Sequence, residues 1–242
     1  MYAITTSNLV KQYGNVTAVD KITLNVRQGE LFSLLGENGS GKTTIIKMLS
    51  CLTKPTAGDA FIRGYNIINE PERVKRKISV SPQETAIARN LTVQENLELM
   101  CGIHSFSKEK TREKVQELAN QFSLQSVLHR KAGKLSGGWQ RRVSIAMALA
   151  SEPEILYLDE PTLGLDVIAR RDLWNEILAL KGKTTIILTT HYLKEAEDLA
   201  DRIGIMKNGR LLAVGTSKEL KASAGTDDFE TAFVSFLKES VL

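Results

Sequence analysis

A glycine-rich loop lies between an apolar run and a helical pattern, and its residue types are those that bind phosphate. The loop fits the pattern G-x-x-x-x-G-K-[ST]. Its glycines let successive backbone N–H groups point inward around an anion, and the N-terminus of the following helix adds positive potential. The pattern therefore predicts a phosphate-binding loop. The residues of this loop are Gly36, Glu37, Asn38, Gly39, Ser40, Gly41, Lys42, Thr43 and Thr44.

Two residues of this phosphate loop carry groups that act on a nucleotide directly. Lys42 supplies a mobile positive charge to the β- and γ-phosphates, and the hydroxyl of Thr43 can ligate Mg²⁺. A chance match in a turn is the alternative interpretation. The apolar run before the loop and the helical pattern after it argue against that alternative, because the motif requires a strand on one side and a helix on the other.

A pair of carboxylates follows another apolar strand pattern. Residues 155–158 are apolar and lead into Asp159 and Glu160, at the edge where an open α/β sheet places its ligands. Asp159 is expected to hold Mg²⁺, directly or through water, and Glu160 to polarise the water that attacks the γ-phosphate. Solvated acids at a strand end are the other interpretation. With the phosphate loop present, the pair predicts a P-loop nucleoside triphosphatase, and the lack of an N-K-x-D sequence weighs against a GTPase.

The elements that would position these residues alternate along the chain. Strand-length runs that are apolar throughout suit parallel strands buried on both faces. They cover residues 31–35, 78–80, 155–158 and 185–188. The main helices predicted between and after them cover residues 42–52, 138–150, 167–180 and 193–200. Alternation of this kind predicts an α/β fold with a mostly parallel sheet.

Two further parts of the chain predict β-structure of another kind. Residues of about 1–30 and 58–68 alternate in hydropathy, which predicts a smaller antiparallel sheet as an N-terminal β-subdomain. Asn208-Gly209 between two apolar runs predicts a hairpin with a two-residue turn.

A helical insert and a final helix complete the expected organisation. Residues 91–135 are highly charged and helical in pattern, with capping-box spacing from Thr92 to Glu95 and a second helix over 107–122. We expect this insert to belong to a helical subdomain over about residues 86–150. Asp227, with Glu230 three residues on, predicts the cap of a C-terminal helix over about 227–241. The apolar stripe of this helix is Phe229, Phe233, Phe236, Leu237 and Val241.

Length and composition limit the remaining classes. With 242 residues, 42% hydrophobic and 25% charged, the chain is expected to form one soluble domain. No apolar run approaches the ~18 residues needed to cross a bilayer, and the first residues lack a signal peptide pattern, so we expect a cytosolic location. The net charge of +4 is spread along the chain, and we expect no nucleic-acid partner. Cys51 and Cys101 lack C-x-x-C spacing and predict buried, reduced thiols.

The sequence Leu-Ser-Gly-Gly-Trp-Gln over residues 135–140 lies just before a predicted helix and resembles the LSGGQ signature of the ATP-binding cassette (ABC) family. Ser136 as a helix cap, followed by Gly137 and Gly138, makes a second anion site of exposed N–H groups. The resemblance covers nearly the whole chain. It implies a RecA-like P-loop NTPase core with ATP and Mg²⁺ as ligands. It also implies that Ser136, Gly137 and Gly138 contact the ATP bound by a second subunit.

The resemblance assigns roles to four more residues. Tyr13 matches the aromatic residue that stacks on adenine, and Gln83 matches the glutamine that reaches Mg²⁺ or the attacking water. Asp166 belongs to the segment that touches the opposite subunit and its nucleotide, and His191 matches the histidine that contacts the γ-phosphate. One departure is Trp139, where the family pattern has Gln. The change puts in doubt a polar contact by that side chain and the tuning of the hydrolysis rate.

The resemblance also implies partners. A second ABC ATPase subunit, identical or different, would complete the ATP sites, and an integral-membrane permease would hold the chain at the cytoplasmic face of the membrane. The short C-terminal region and the stretch from Pro82 to Leu97 resemble bacterial ABC-2-type and drug-exporter ATPases. An importer subunit, a soluble ABC ATPase without a transport role and a small-molecule phosphotransferase are the alternatives.

Overall fold

A computed structural model describes residues 1–239 of the chain. The strands are β1 (Tyr2–Tyr13), β2 (Val16–Arg27), β3 (Leu31–Gly36), β4 (Ala57–Ile62), β5 (Tyr65–Asn66), β6 (Ile78–Ser81), β7 (Ile155–Asp159), β8 (Thr185–Thr190), β9 (Arg202–Lys207) and β10 (Arg210–Gly215). The helices are α1 (Lys42–Leu49), α2 (Pro71–Lys75), α3 (Val93–Ile103), α4 (Lys108–Gln121), α5 (Gly137–Leu149), α6 (Val167–Leu178), α7 (Leu193–Leu199), α8 (Ser217–Ser223) and α9 (Phe229–Glu239).

The larger sheet has the strand order β10-β9-β3-β8-β7-β6 and is parallel except for β10. Strands β3, β7 and β8 are buried along their whole length because both faces of the sheet are covered. Successive residues of β7 accordingly enter different cores: Leu156 packs into one and Tyr157 into the other. This confirms the predicted α/β fold with a mostly parallel sheet.

The ends of three neighbouring strands meet at one edge of this sheet. Asp159 at the end of β7 is level with Thr189 of β8, and Thr190 is level with Leu35 of β3. Parallel strands present their carboxyl ends to the same edge. The phosphate loop after β3 and the residues that follow β7 and β8 are therefore neighbours, although they are far apart in sequence.

The smaller sheet is antiparallel, with the strand order β2-β1-β4-β5. Its apolar face, which includes Ile4 and Leu9, shares a core with Phe32 of the larger sheet and Ile46 of α1. The prediction of a small antiparallel sheet is confirmed. The sheet lies over the helix that begins at the phosphate loop.

Helices α3, α4 and α5 pack on the opposite face of the larger sheet. Leu97, Phe122 and Val143 share a core there with Leu156 of β7. The capping box from Thr92 to Glu95 is present and starts α3 as predicted. These helices lie within residues 86–150, the range that we propose as a helical subdomain.

Several predicted helix ends needed correction. Helix α1 ends at Leu49 rather than at residue 52 because Cys51 adopts a left-handed conformation (φ 58°), after which the N–H of Leu52 bonds back to the carbonyl oxygen of Lys47. Helix α6 ends at Leu178 rather than at residue 180, where the chain turns into β8.

The C-terminal helix and the hairpin before it form as predicted, but a different residue caps the helix. Asp228, not Asp227, caps α9, since its carboxylate accepts the backbone N–H of Thr231 at 2.7 Å. The predicted stripe position Val241 lies outside the described residues. The Asn208-Gly209 turn has both φ angles positive (48° and 79°), which confirms the hairpin between β9 and β10.

Helices α2 and α8 are short and were not predicted. Cys101 is buried as expected, whereas Cys51 is only partly buried; both are free thiols. Among residues 1–239, no helix combines the length and the hydropathy that a membrane span requires.

Candidate functional site

The phosphate loop joins β3 to α1, and at two of its glycines a side chain would clash with a neighbouring strand. Gly41 has φ +104°, and a Cβ atom there would lie 2.4 Å from the carbonyl oxygen of Ala18. At Gly36 a Cβ atom would lie 2.5 Å from the carbonyl oxygen of Met206. The loop is therefore packed against β2 on one side and β9 on the other, and its backbone N–H groups have a fixed direction.

The side chain of Lys42 is almost completely buried inside this loop. Its Nζ donates to the carbonyl oxygens of Gly36 at 2.7 Å and Glu37 at 3.0 Å, and it lies 3.5 Å from Oε1 of Glu160. Burial lowers the pKa of Lys42, and the Glu160 carboxylate acts against that effect. A buried cation with an acid beside it is suited to receive the charge of a phosphate.

Asp159 and Thr43 face each other where β7 meets the phosphate loop. Thr43 Oγ1 lies 3.2 Å from Asp159 Oδ1, and the hydroxyl of Thr189 donates to the same carboxylate oxygen. Oxygen ligands held at about 2.1 Å by one Mg²⁺ lie about 3 Å apart at neighbouring octahedral positions. The separation of Thr43 and Asp159 therefore fits a magnesium ion.

The rest of the coordination would have to come from outside the protein. Within the described part of the chain, no group of three or more His, Cys, Asp or Glu side chains could hold a metal by itself. Magnesium commonly binds through one or two carboxylates together with substrate phosphates. The donor set at Asp159 and Thr43 is of this kind.

Glu160 lies beside the phosphate loop and is held from several directions. Its backbone is left-handed (φ 48°), and its N–H donates to the carbonyl oxygen and the hydroxyl of Thr189, both at 3.1 Å. Its Oε2 lies 2.7 Å from Nδ1 of His191, while Oε1 faces Lys42. A left-handed non-glycine residue costs about 1–2 kcal/mol, so the surrounding contacts fix this carboxylate in place.

Gln83 reaches the same site from the other side, after β6. Gln83 lines the cavity, and its backbone carbonyl oxygen accepts a hydrogen bond from the guanidinium of Arg141. Arg141 is buried in α5 and also donates to the carbonyl oxygen of Pro82 at 2.6 Å. The loop that carries Gln83 is thus attached to the helix that follows the LSGGW sequence.

These residues enclose a cavity of about 300 Å³. Its lining contains most of the residues predicted from the sequence and adds Ala18 and Leu163. The lining residues are Ala18, Asn38, Gly39, Ser40, Gly41, Lys42, Thr43, Thr44, Gln83, Glu160, Leu163 and His191. The predicted site residues that lie outside this lining are Tyr13, Gly36, Glu37, Ser136, Gly137, Gly138, Asp159 and Asp166.

The middle of the LSGGW segment lies on the surface, between the buried Leu135 and the half-buried Trp139. Ser136 is the N-cap residue of α5, as predicted, but its side chain makes no cap hydrogen bond. Ser136 and Gly137 are exposed, and a Cβ atom at Gly137 would meet nothing within 4 Å. The first N–H groups of α5 are therefore accessible from outside the chain.

Asp166 and Tyr13 also lie at the surface. The carboxylate of Asp166 caps α6, accepting the backbone N–H groups of Ile168 at 3.0 Å and Ala169 at 2.9 Å. Tyr13 is 47% exposed at the end of β1, with Nζ of Lys11 4.9 Å from its ring centre. An exposed ring can accept a flat partner on its face.

Three residues that the sequence did not single out contact predicted residues or the loop that follows them: Thr189, Arg141 and Glu195. Thr189 bonds Asp159 and Glu160, Arg141 bonds the Gln83 loop, and Glu195 bonds Thr162 two residues after Glu160. None has a local pattern that could have identified it, because each acts across at least about thirty residues of sequence.

The chain is similar to known proteins over most of its length. Residues 19–163 match the family model described as ABC transporter. The chain is 43% identical over 226 residues to the daunorubicin/doxorubicin resistance ATP-binding protein DrrA of Streptomyces peucetius, covering 93% of this chain and 68% of that protein.

Two solved structures have the same fold. An ATP-binding subunit of an ABC transporter superposes with a TM-score of 0.86 at 29% identity, covering 97% of this chain and 99% of the other. A dimeric ATP-binding cassette in a post-hydrolysis state, bound to ADP and phosphate, superposes with a TM-score of 0.79 at 29% identity, covering 88% of this chain and 98% of the other.

Proposed function

The chain belongs to the ABC transporter family as an ATP-binding, ATP-hydrolysing subunit, and from that premise we propose which of its residues do the chemistry. ATP occupies the cavity beside the phosphate loop, and Glu160 orients and polarises the water that attacks the γ-phosphate. The observation that carries this proposal is the position of Glu160. Its two carboxylate oxygens face Lys42 at 3.5 Å and His191 at 2.7 Å, at the rim of the phosphate site.

Each of the other site residues has a role that follows from its position. The N–H groups of residues 36–44 surround the phosphates, and Lys42 exchanges its carbonyl contacts for the β- and γ-phosphates. His191 holds the Glu160 carboxylate and can donate to the γ-phosphate. Thr43 and Asp159 hold Mg²⁺, with Gln83 at the edge of the site, and the bound ion would neutralise charge that develops on the phosphates. Tyr13 offers its exposed ring to the adenine.

The exposed LSGGW segment completes the ATP site of another subunit. Ser136, Gly137 and Gly138 lie outside the cavity of their own chain, and the first N–H groups of α5 are accessible. An anion is favoured at such a helix end. We propose that the partner is a second ABC ATPase subunit, identical or different, and that ATP bridges Lys42 of one subunit and Ser136 of the other. The dimeric cassette among the structural relatives supports this arrangement.

We further propose that the chain powers export through a separate membrane permease, to which it binds at the cytoplasmic face of the membrane. The similarity to a drug-resistance ATP-binding protein supports export. The permease would contact the surface near residues 85–99, which follows Gln83 directly. Arg141 ties the Gln83 loop to α5, so a change at the γ-phosphate would reach both the permease surface and the LSGGW segment.

Phosphate release by the purified chain tests the assignment of Glu160. Glu160→Gln should keep ATP binding and lower the turnover number by about a hundredfold or more, because general-base assistance contributes about 10²–10⁴-fold. Glu109→Gln, which changes an exposed acid of α4, is the matched control and should match the unsubstituted chain. Unchanged phosphate release by Glu160→Gln would refute the assignment.

The permease surface is tested separately by photo-crosslinking in membranes of the source cell. A photoreactive side chain at Leu99, which is 46% exposed on α3, should crosslink an integral-membrane protein. The same group at Leu52, which is 70% exposed and follows α1, should not. Equal crosslinking from the two positions would contradict the proposed docking surface.

A further inference from the structure

Glu195 on α7 is a buried carboxyl group to which the proposed function assigns no role. Its side chain is 0% exposed, and it lies in the first turn of α7. Its Oε1 accepts hydrogen bonds from the hydroxyl of Thr162 at 2.8 Å and from the indole N–H of Trp174 at 3.1 Å. Burial raises the pKa of Glu195, against the opposing effect of these donors.

The hydrogen bond from Thr162 to Glu195 closes a ring of contacts. The ring runs along the chain from Glu160 to Thr162, across to Glu195, back along the chain to His191, and from His191 to Glu160. Thr162 follows Glu160 by two residues, and Glu195 follows His191 by four. At the other side of the ring, His191 Nδ1 lies 2.7 Å from Glu160 Oε2. The loop after β7 and the segment after β8 are therefore joined at the reacting carboxylate and again behind it.

The second joint lies where the backbone needs support. Glu160 is left-handed, and its N–H donates to the carbonyl oxygen and the hydroxyl of Thr189, while the segment after it has one local turn bond, from the N–H of Leu163 to the carbonyl oxygen of Glu160 at 3.2 Å. Thr162 is 0% exposed, so its side chain cannot bond to water instead. Two apolar side chains of similar size at positions 162 and 195 could be buried without the cost of desolvating a carboxyl group. They would leave the loop after Glu160 without its hydrogen bond to α7.

We propose that Glu195 is a positioning residue for ATP hydrolysis, which acts by holding Thr162 and so the direction in which Glu160 faces His191. This inference rests on the proposed function of Glu160. Glu195 does not touch the nucleotide cavity, so its loss should change the rate of hydrolysis and leave ATP binding intact. Trp174 donates to the same oxygen from α6 and has no part in the ring.

The two donors to Oε1 supply a matched pair of variants. Thr162→Val removes the bond inside the ring, and Trp174→Phe removes the bond outside it. We expect Thr162→Val to lower kcat by at least about tenfold with the Kd for ATP unchanged, since small misplacements of a reacting group cost up to about a hundredfold. Trp174→Phe should keep kcat within about twofold even though it lowers the melting temperature, because the ring stays closed. Equal loss of kcat in the two variants would overturn the proposal.

Two further variants separate positioning from general stability. Glu195→Gln keeps an oxygen that can accept from Thr162 and should retain most of the activity, whereas Glu195→Leu should lose it. In a chain that already carries His191→Ala, adding Thr162→Val should lower kcat by less than about twofold, because the contact that it aligns is gone. An undiminished effect of Thr162→Val in that background would contradict the proposal.

The outcome for Glu160 is independent of these comparisons. If Glu160→Gln hydrolyses ATP normally, the assigned role of Glu160 fails whatever Thr162→Val does. If Glu160→Gln is inactive and Thr162→Val is as active as Trp174→Phe, only the role of Glu195 fails.

Discussion

Nδ1 of His191 lies 2.7 Å from Oε2 of Glu160, and this contact joins the segments that follow two neighbouring strands, β8 and β7. The imidazole orients the carboxylate, and Lys42 on the other side supplies a positive charge 3.5 Å away. A general base must lie within reach of its water with a fixed direction. The pair provides that fixed direction before any nucleotide arrives.

His191→Ala should therefore lower ATP turnover by about tenfold to a hundredfold, because the carboxylate loses its orienting partner. ATP binding should be nearly unchanged, since Lys42 and the phosphate loop are intact. Phosphate release and nucleotide binding measured on the same preparation check both statements. His104→Ala removes an exposed histidine at the end of α3 and is the control. Turnover that is equal in the two variants would show that the contact is not used.

The close packing of the phosphate loop predicts a steric effect at Gly41. Gly41→Ala should lower the free energy of unfolding by at least about 2 kcal/mol, because the positive φ is strained for alanine and the new Cβ would lie 2.4 Å from the carbonyl oxygen of Ala18. Gly14→Ala has a positive φ as well but meets nothing within 4 Å, so its cost should be limited to about 1 kcal/mol. Denaturant unfolding without nucleotide compares the two. A similar loss in both would mean that β2 and the loop separate easily.

Glu176 on α6 predicts a pH dependence of stability. Burial raises its pKa from 4.5 to about 7, with Arg142 3.4 Å away acting in the opposite direction. Between pH 4.5 and about pH 7 the folded state binds more protons than the unfolded state. Glu176 therefore makes the free energy of unfolding fall as the pH rises. The whole effect amounts to at most about 3 kcal/mol.

Glu176→Gln removes this titration. Relative to the unsubstituted chain, the variant should gain stability between about pH 5 and about pH 8, by about 1–3 kcal/mol. Urea unfolding at the two pH values measures the change, with Glu109→Gln as an exposed control. If the free energy of unfolding changes with pH equally in Glu176→Gln and in the unsubstituted chain, the carboxyl group of Glu176 titrates normally.

Trp139 is the residue at which the signature segment departs from the family pattern. Its ring lies 4.9 Å from the guanidinium of Arg142 and packs against the core below α5. Trp139→Gln should lower the free energy of unfolding by about 1 kcal/mol or more. ATP turnover should stay within about threefold, because Ser136 and the amides of Gly137 and Gly138 are unchanged. A loss of turnover with no loss of stability would instead place the indole in the ATP site.

Much of the site could be predicted because its residues follow local patterns. The phosphate loop requires glycines at fixed spacing, and an apolar strand followed by Asp159 and Glu160 identifies the sheet edge where ligands bind. The strands of the larger sheet could be predicted for the same reason, since burial on both faces leaves them without alternation.

The remaining features depend on contacts between distant parts of the chain. Nothing near Thr189 or Glu195 in sequence indicates that the first would bond to Glu160 and the second to Thr162, because the sheet brings them together only after folding. Asp227 and Asp228 are equally good capping residues by type, and the backbone turn at residue 228 decides between them. Ser136 has the sequence of a helix cap but leaves its side chain without that bond, which suits a residue that binds something outside the chain.

The central claim is that ATP is bound between two subunits, by the phosphate loop of one and the LSGGW segment of the other. Light scattering with size-exclusion chromatography on Glu160→Gln tests it most directly, because slow hydrolysis should let the ATP-bound form accumulate. We expect a monomer without ATP and a dimer with ATP and Mg²⁺, and the added substitution Ser136→Arg should abolish the dimer while ATP binding persists. A chain that remains monomeric when saturated with ATP, or a dimer that Ser136→Arg does not affect, would contradict the claim.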